Sequence, residues 1–199
     1  MAKPTITLGG ETYPMTQVTK ALDRIGRIWR KNARISLRMQ GKVNTGTLYN
    51  SIPVQVGSDI NGFYVNLTPK AHYWEYVDKG VQGASRNAFT RQSQSPFKFG
   101  SGKGGPGLRG AINKWVRAKG FQFQSREEGS KGQFMSYDST AFMVGQAVWH
   151  RGLKPTFFMA DTKKRIKKKA LIWLTDAFGK DYATALKLNL QLDQNLEVK

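Results

Sequence analysis

The apolar positions of the first long segment recur with a helical period. From Thr16 onward, Val18, Leu22, Ile25, Trp29, Ala33 and Leu37 lie three or four residues apart, and Gly41 follows the last of them. This spacing predicts an amphipathic helix with Thr16 as its N-cap and Gly41 as its stop. A second row, Lys20, Arg24, Arg27, Lys31, Arg34 and Arg38, repeats the period with an offset of two residues. Two residues are about 200° around an α-helix, so the rows lie back to back, one to be buried and one basic. Asp23 is the only acid between Thr16 and Gly41, whereas an ordinary solvated face mixes Glu among its Lys and Arg. The residues before this helix read as an extended lead-in broken at Gly9-Gly10.

After the turn-forming Asn44-Thr45-Gly46 the period falls to two. Ile52, Val54 and Val56 alternate, as do Phe63, Val65 and Leu67, which predicts two antiparallel strands joined across SDING. Pro53 has no N–H to give a ladder, so the first strand lies at an edge or starts there. AHYWEYVDKG, 71–80, fits a third strand or a short helical turn. Residues 81–107 are rich in Gly, Ser, Gln, Arg and Asn and poor in apolar groups, the composition of a loop or extended arm; a stretch that long is often functional. Helical spacing returns at 108–120, with Leu108, Ile112 and Trp115 inward and Gly120 as stop. FQFQ alternates briefly and EEGSKGQ is a second loop. A further helix, capped by Asp138 or Ser139, runs through His150 with Phe142, Gly145 and Trp149 on one side, and Gly152 and Pro155 end it. The last helix starts near Asp161 and carries Ile166, Ala170, Trp173, Ala177 and Phe178 at helical spacing; Gly179 kinks or ends it, or 181–192 continue it, and 193–199 form a fraying, disordered tail. The expected fold is a single α+β domain over 1–199. In it a small antiparallel sheet is packed by an N-terminal and a long C-terminal helix, with a basic arm at 81–107 and short insert helices.

Charge changes this picture most. Thirty-two Lys and Arg against 13 Asp and Glu give a net +19, a surface that attracts a polyanion or a strongly acidic protein face. The charge is unevenly placed. Residues 79–126 carry ten Lys or Arg and no acid. A second cluster, KKRIKKK at 163–169, sits in the first turns of the last helix, where it opposes the helix dipole and favours a nearby anion. Lys163, Lys164, Lys167 and Lys168 therefore join the first-helix row as candidates for facing DNA or an acidic partner. A plain wet face is the competing reading of both rows. Composition adds limits: 39% hydrophobic and 12% aromatic residues suit a globular chain. The chain has no cysteine, which excludes disulfides and cysteine-ligated metal and fits a reducing compartment. No apolar run approaches the roughly 18 residues of a membrane helix, and MAKPTITLGG lacks the apolar core of a secretion signal. A soluble protein made in the cytosol, without membrane contact, is expected.

Chemical motifs fail one by one. GSGKGGPGLRG at 100–110 resembles a phosphate-cradling loop, but position 97 is Phe, Lys103 is followed by Gly104 in place of Ser or Thr, and no apolar strand precedes it. His72 and His150 have no partner at metal or general-base spacing. The acids form no two-metal cluster and there is no nucleophile elbow. No enzyme and no cofactor are expected, and zinc-finger and RNP-type nucleic-acid signatures are absent.

Three segments in order, VNTGTLYNSI, YWEYVDKGVQG and GLKPTFFMAD, resemble the neck or tail-completion (minor tail) components of tailed bacteriophages. The first is similar to that family's Thr-Gly-x-Leu turn leading into a strand, the second to its Tyr-x-x-Tyr-Val-acid-x-Gly segment, and the third to the Pro-x-Phe segment that opens its C-terminal helix. GAINKWVRAKG and STAFMVGQAVWHRG look like insert helices of a phage subgroup. Thr45, Gly46, Leu48, Ile52, Tyr73, Tyr76, Val77, Gly80, Pro155 and Phe158 take the family positions. All are turn and packing residues. The resemblance implies an α+β structural virion protein at the head–tail junction, made in the bacterial host cytoplasm. Copies of itself would form a ring around the DNA conduit, in contact with portal-side, neck or tail neighbours and with packaged DNA. On this reading Arg86, Arg91, Phe97, Phe99 and Lys103 of the arm contact the neighbouring subunit. The alternatives are a free DNA- or RNA-binding protein using the basic stripe and, more remotely, a hydrolase or nuclease acting on phosphate esters.

Overall fold

The structure is a computed structural model that describes residues 4–59, 62–84, 95–99 and 107–197. Helices and short antiparallel strand pairs alternate, an α+β arrangement, and the chain packs as two compact units. One unit comprises Met1–His72 with Phe158–Lys199, the other Tyr73–Phe157.

The first unit is built on the amphipathic helix. A hairpin of β1 (Thr5–Leu8) and β2 (Glu11–Pro14) precedes it, where an extended lead-in broken at Gly9-Gly10 was expected. Gly9 and Gly10 both have positive φ, +57° and +86°, so the pair forms the tight two-residue turn that matches strand twist. Helix α1 (Thr16–Met39) follows, and its buried residues include all six of the predicted apolar row. Gly41 ends it as expected. With Gly41 at φ +64°, its N–H donates to Arg38 O and that of Lys42 to Leu37 O, closing the last turn. Thr16 is not the cap; Met15 occupies that position and makes no side-chain bond.

Gly46, with φ +79°, leads into a single helical turn, α2 (Thr47–Asn50), in place of a strand. Leu48 and Ile52 are buried, and the strand begins later, as β3 (Gln55–Asp59) paired with β4 (Gly62–Asn66) from Gln55↔Asn66 to Asp59↔Gly62. Pro53 precedes the ladder. Helix α6 (Phe158–Glu197) lies against the other side of α1. It starts three residues before the expected Asp161 and passes through Gly179, reaching into the stretch expected to fray. Three layers result: α6, α1 and the β3–β4 pair. Gly26 sits in the α1 face toward β3–β4, and a Cβ there would strike Val54, so this glycine sets how closely helix and strands approach. Met15, Val18, Leu22 and Ala177 form the core at this end, with Val56 and Val65 from the strands and Leu174 from α6.

The helices α1 and α6 run antiparallel. Trp29 Nε1 donates to Thr162 Oγ1 (3.1 Å) near the start of α6, and the Asp181 carboxylate accepts from Gln17 N (3.0 Å) and Val18 N (2.8 Å) at the start of α1. Asp181 is buried. A side chain 163 positions away thus supplies the capping bonds that Met15 cannot.

The second unit contains α3 (Trp74–Lys79), which settles AHYWEYVDKG as helical, followed by β5 (Val81–Gln82), α4 (Gly107–Lys119), α5 (Tyr137–Arg151) and β6 (Gly152–Leu153). The inward residues of α4 are Ile112, as expected, and Val116, while Trp115 is 39% exposed and lies beside Phe121, so Val116 takes the inward place expected of Trp115. Leu108 lies outside the side chains described. Gly120, at φ +60°, stops the helix. The cap of α5 is Ser136, whose Oγ accepts from Ser139 N (3.1 Å), rather than Asp138 or Ser139. The buried positions of α5 are Thr140 and Ala141, and Phe142 and Trp149 are exposed.

Candidate basic interface

The basic row of α1 is a surface feature along its whole length. Lys20, Arg24, Arg27, Lys31 and Arg38 are exposed and Arg34 is half-buried. The row divides into two parts with different surroundings. Near the start of α1, Arg24 stacks its guanidinium over the Trp173 ring (4.3 Å to the centroid), and a shallow depression between α1 and α6 is bordered by Lys20, Arg24, Asp176 and Lys180. Here a carboxylate is present, and Lys180 Nζ already donates to it at 2.8 Å.

Toward the end of α1 the surroundings change. A groove runs along the helix, lined by Arg27, Arg30, Lys31, Arg34, Arg38 and Tyr49, with Ile35 between them. Its lining holds no carboxylate among the described residues. Tyr49 organises it. The αL turn at Gly46 and the single turn of α2 bring Tyr49 beside α1. Arg34 Nε donates to Tyr49 O (2.9 Å) with its guanidinium 4.9 Å from the ring centroid, and Arg38 Nη2 donates to Tyr49 Oη (3.3 Å) at 5.6 Å from the same ring. Two cations are thereby held side by side on an aromatic face, with their remaining N–H groups free of these bonds. The nearest acid on the helix is Asp23, 3.8 Å from Arg27 in an exposed pair, which does little to neutralise the row. A line of planar donors beside an aromatic ring suits the phosphates of a nucleic acid or a row of carboxylates.

Sequence reading missed Arg30 and Tyr49. Arg30 stands three residues from Arg27 and four from Arg34, so helical spacing alone would have found it. Tyr49 comes from a separate element and needed the turn geometry at Gly46.

The second basic cluster is on the outside of α6. Lys163, Lys164, Lys167 and Lys168 are all exposed, and Lys163 Nζ lies 5.9 Å from the Trp29 ring centroid. The described structure does not place this cluster in the Tyr49 groove.

Of the proposed arm, Arg86, Arg91 and Lys103 lie outside the described residues. Phe97 and Phe99 lie within them, in a segment that returns to its own unit. Gln82 N donates to Phe97 O (2.7 Å) and Phe99 N to Gln82 O (2.9 Å), which adds a parallel bridge beside β5. Phe97 packs on Tyr76 (4.4 Å) and Phe99 on Trp149 (5.8 Å between centroids).

Within the second unit, the segments around Val77–Gly80 and Gly152–Phe157, which carry part of the resemblance, meet at one crossing. Strands β5 and β6 pair through Val81↔Leu153 and Gln82↔Gly152. Val77 O accepts from Thr156 Oγ1 (2.8 Å), and Asp78 O accepts from Phe157 N (3.0 Å). Gly80, at φ +73°, would place a Cβ 2.5 Å from Leu153 O, and Cβ atoms at Gly83 or Gly152 would meet backbone atoms of the opposite segment. Tyr73 caps α3, Tyr76 stacks on Phe97, and Pro155 lies against Gly80. In the first unit, Thr45 Oγ1 bonds Thr47 Oγ1 (2.9 Å) at the Gly46 turn, and Phe158 is fully buried at the start of α6.

No protein-family model, curated protein or solved structure matches this chain. No group of three or more His, Asp or Glu among the described residues is placed to hold a metal ion, and no helix among them is long and apolar enough to cross a membrane.

Proposed function

We propose that this chain is a structural component of a tailed-bacteriophage virion, a neck or tail-completion ring subunit that joins head and tail around the DNA conduit. Its work is docking, with no bond-making step. The observation that carries this reading is the groove on α1, a row of guanidiniums organised by Tyr49 and bordered by no carboxylate among the described residues. Such a face retains its self-repulsion until it meets phosphates or acidic side chains. Packaged DNA in a conduit and an acidic neighbouring ring both supply that partner. The segments 43–52, 73–83 and 152–161, in that order along the chain, add the resemblance. Mass spectrometry of intact particles together with electron-microscopy class averages of the purified chain tests the reading: rings in the averages and the chain in the particle support it, and a monomer absent from particles refutes it.

The same groove favours a second reading, a free nucleic-acid-binding protein. That reading requires tight binding to naked DNA or RNA at about 50 mM salt, with log affinity falling at roughly 0.9 per phosphate contacted as log salt rises. Flat salt dependence removes it.

A further inference from the structure

The groove beside Tyr49 is straight, of one sign and nearly without apolar side chains. Arg27, Lys31, Arg34 and Arg38 fall within about 60° of one another around α1, and the row is about 16 Å long at ~1.5 Å per residue. Arg30 flanks it. Among the described residues, Ile35 is the lining's only aliphatic residue and Tyr49 its only ring. A protein partner draws its affinity from apolar anchors buried at the centre of a contact, and this face offers one such position. A second copy of this chain is a poor fit as well. It has 32 basic against 13 acidic residues. Asp23, Glu75, Asp138 and Asp176 are already in ion pairs, and Asp181 is spent on the start of α1. A phosphodiester chain needs no apolar anchor, because its affinity comes from the counterions that Lys and Arg release from it.

The way the arginines are held favours a duplex over a single strand. Arg34 gives Nε to Tyr49 O and keeps its Nη pair, an end-on fork for two oxygens of one phosphate. Arg38 donates from Nη2 to Tyr49 Oη. Both guanidiniums lie over the Tyr49 ring, 4.9 and 5.6 Å from its centroid, and Tyr49 is half-buried. Single-strand sites stack bases on open aromatic faces, whereas this ring is taken up by its own cations.

We propose that the groove holds the phosphate backbone of a nucleic-acid duplex, with Tyr49 as the positioning residue that keeps Arg34 and Arg38 in line. Contacts of this kind carry no base-sequence information. The proposal rests on the groove being the docking face, and it names phosphate, not carboxylate, as what docks there.

Fluorescence anisotropy on the full chain tests it, with a labelled mixed-sequence DNA duplex, one of its strands alone, and poly-L-glutamate as competitor. Circular dichroism shows that each variant is folded. Wild type binds the duplex at about 50 mM salt, about threefold or more tighter than the single strand, and yields it to poly-L-glutamate only at a large excess of charge. Arg38→Gln lowers the slope of log affinity against log salt by about 0.9. Tyr49→Ala keeps every cation, so it weakens binding about five- to tenfold at an unchanged slope, because two arginines must then be ordered on binding. Tyr49→Phe keeps the ring and the backbone carbonyl and restores affinity to within about threefold of wild type. Poly-L-glutamate displacing the duplex at equal charge, a single strand bound more tightly than the duplex, or Tyr49→Ala binding like wild type overturns the proposal. The neck reading fails separately. Rings without duplex affinity overturn only this proposal, and a monomer that binds duplex through the groove and is absent from particles upholds it while refuting the neck reading.

Discussion

Replacing Asp181 tests how the first unit is held together. Its carboxylate, only 7% exposed, accepts from the first free N–H groups of α1, Gln17 at 3.0 Å and Val18 at 2.8 Å. The Met15 cap offers no side-chain bond, and the first turn of α1 contains no acid. Asp181 is the one side chain shown to answer both the open N–H groups and the positive end of the helix dipole among the described residues. A hydrogen bond to a charged group contributes about 1.5–3 kcal/mol, and a carboxylate at a partly buried helix N-terminus adds up to about 2 kcal/mol. These terms overlap, and Asp181→Ala should cost about 3 kcal/mol because it also leaves the buried Val18 N–H without a partner. Asp181→Asn keeps the shape and one acceptor oxygen but loses the charge and turns a donor toward a donor, so about half that cost is expected. For a chain of this size, 3 kcal/mol corresponds to a fall of roughly 6–12 °C in Tm. Native-state hydrogen exchange at the Gln17 and Val18 amides reads the site directly, and urea unfolding followed by circular dichroism reads the total. An Asp181→Ala variant within about 0.5 kcal/mol of wild type, with those amides still protected, would refute the capping role.

Other perturbations separate interface from scaffold. Changing Arg30, Arg34 and Arg38 to Gln should lower Tm by about 3–6 °C, since Arg34 gives up its part-buried bond to Tyr49 O, lower affinity for duplex DNA by tenfold or more at about 50 mM salt, and reduce the salt slope by about one for each phosphate no longer neutralised, as read by fluorescence anisotropy. Gly83→Ala and Gly152→Ala drive a Cβ into facing backbone and should each destabilise the second unit by more than about 2 kcal/mol, seen as faster exchange in β5 and β6. Gly110→Ala in α4, where nothing lies within 4 Å, should instead stabilise by about 0.5–1 kcal/mol in the same assay. Thr162→Val strands the buried indole N–H of Trp29, costing about 1–3 kcal/mol in urea unfolding.

The helix α1 could be read from the sequence because its signals are local and agree: a buried row at one phase, a basic row at the opposite phase, and a glycine whose αL geometry closes the final turn. The β3–β4 pair was legible for the same reason, although its start moved to Gln55 once the Gly46 turn opened into helix. The N-terminal hairpin was missed although its signal was present, since Gly9-Gly10 between TITL and ETYP is hairpin chemistry and not merely a break. The cap at Asp181 could not be read locally, because acceptor and donors are 163 residues apart. The start of α6 was misplaced for a related reason. Asp161 looks like a cap, but Phe158 is fully buried and Phe157 takes φ +48° just before it, so the helix begins where tertiary packing needs it. In α4 Ile112 was placed correctly but Trp115 was taken for the inward residue, since Trp115 and Val116 are both apolar and only packing decides which is buried.

The residues at the β5–β6 crossing do their work through backbone. Val77 and Asp78 contribute carbonyls, Thr156 and Phe157 contribute donors, and Gly80, Gly83 and Gly152 contribute the absence of a Cβ where two segments touch. Residues of this kind constrain a fold far more tightly than its surface, since a carbonyl bond persists through side-chain replacement and a Cβ clash does not. By the same reasoning, the crossing decides only how this unit is built, and a partner's reading of the chain falls to exposed surfaces such as the groove around Tyr49. Function on this scaffold is then tested at the Tyr49 groove, by binding and assembly, because no substitution within the glycine crossing can separate a failure to dock from a failure to fold.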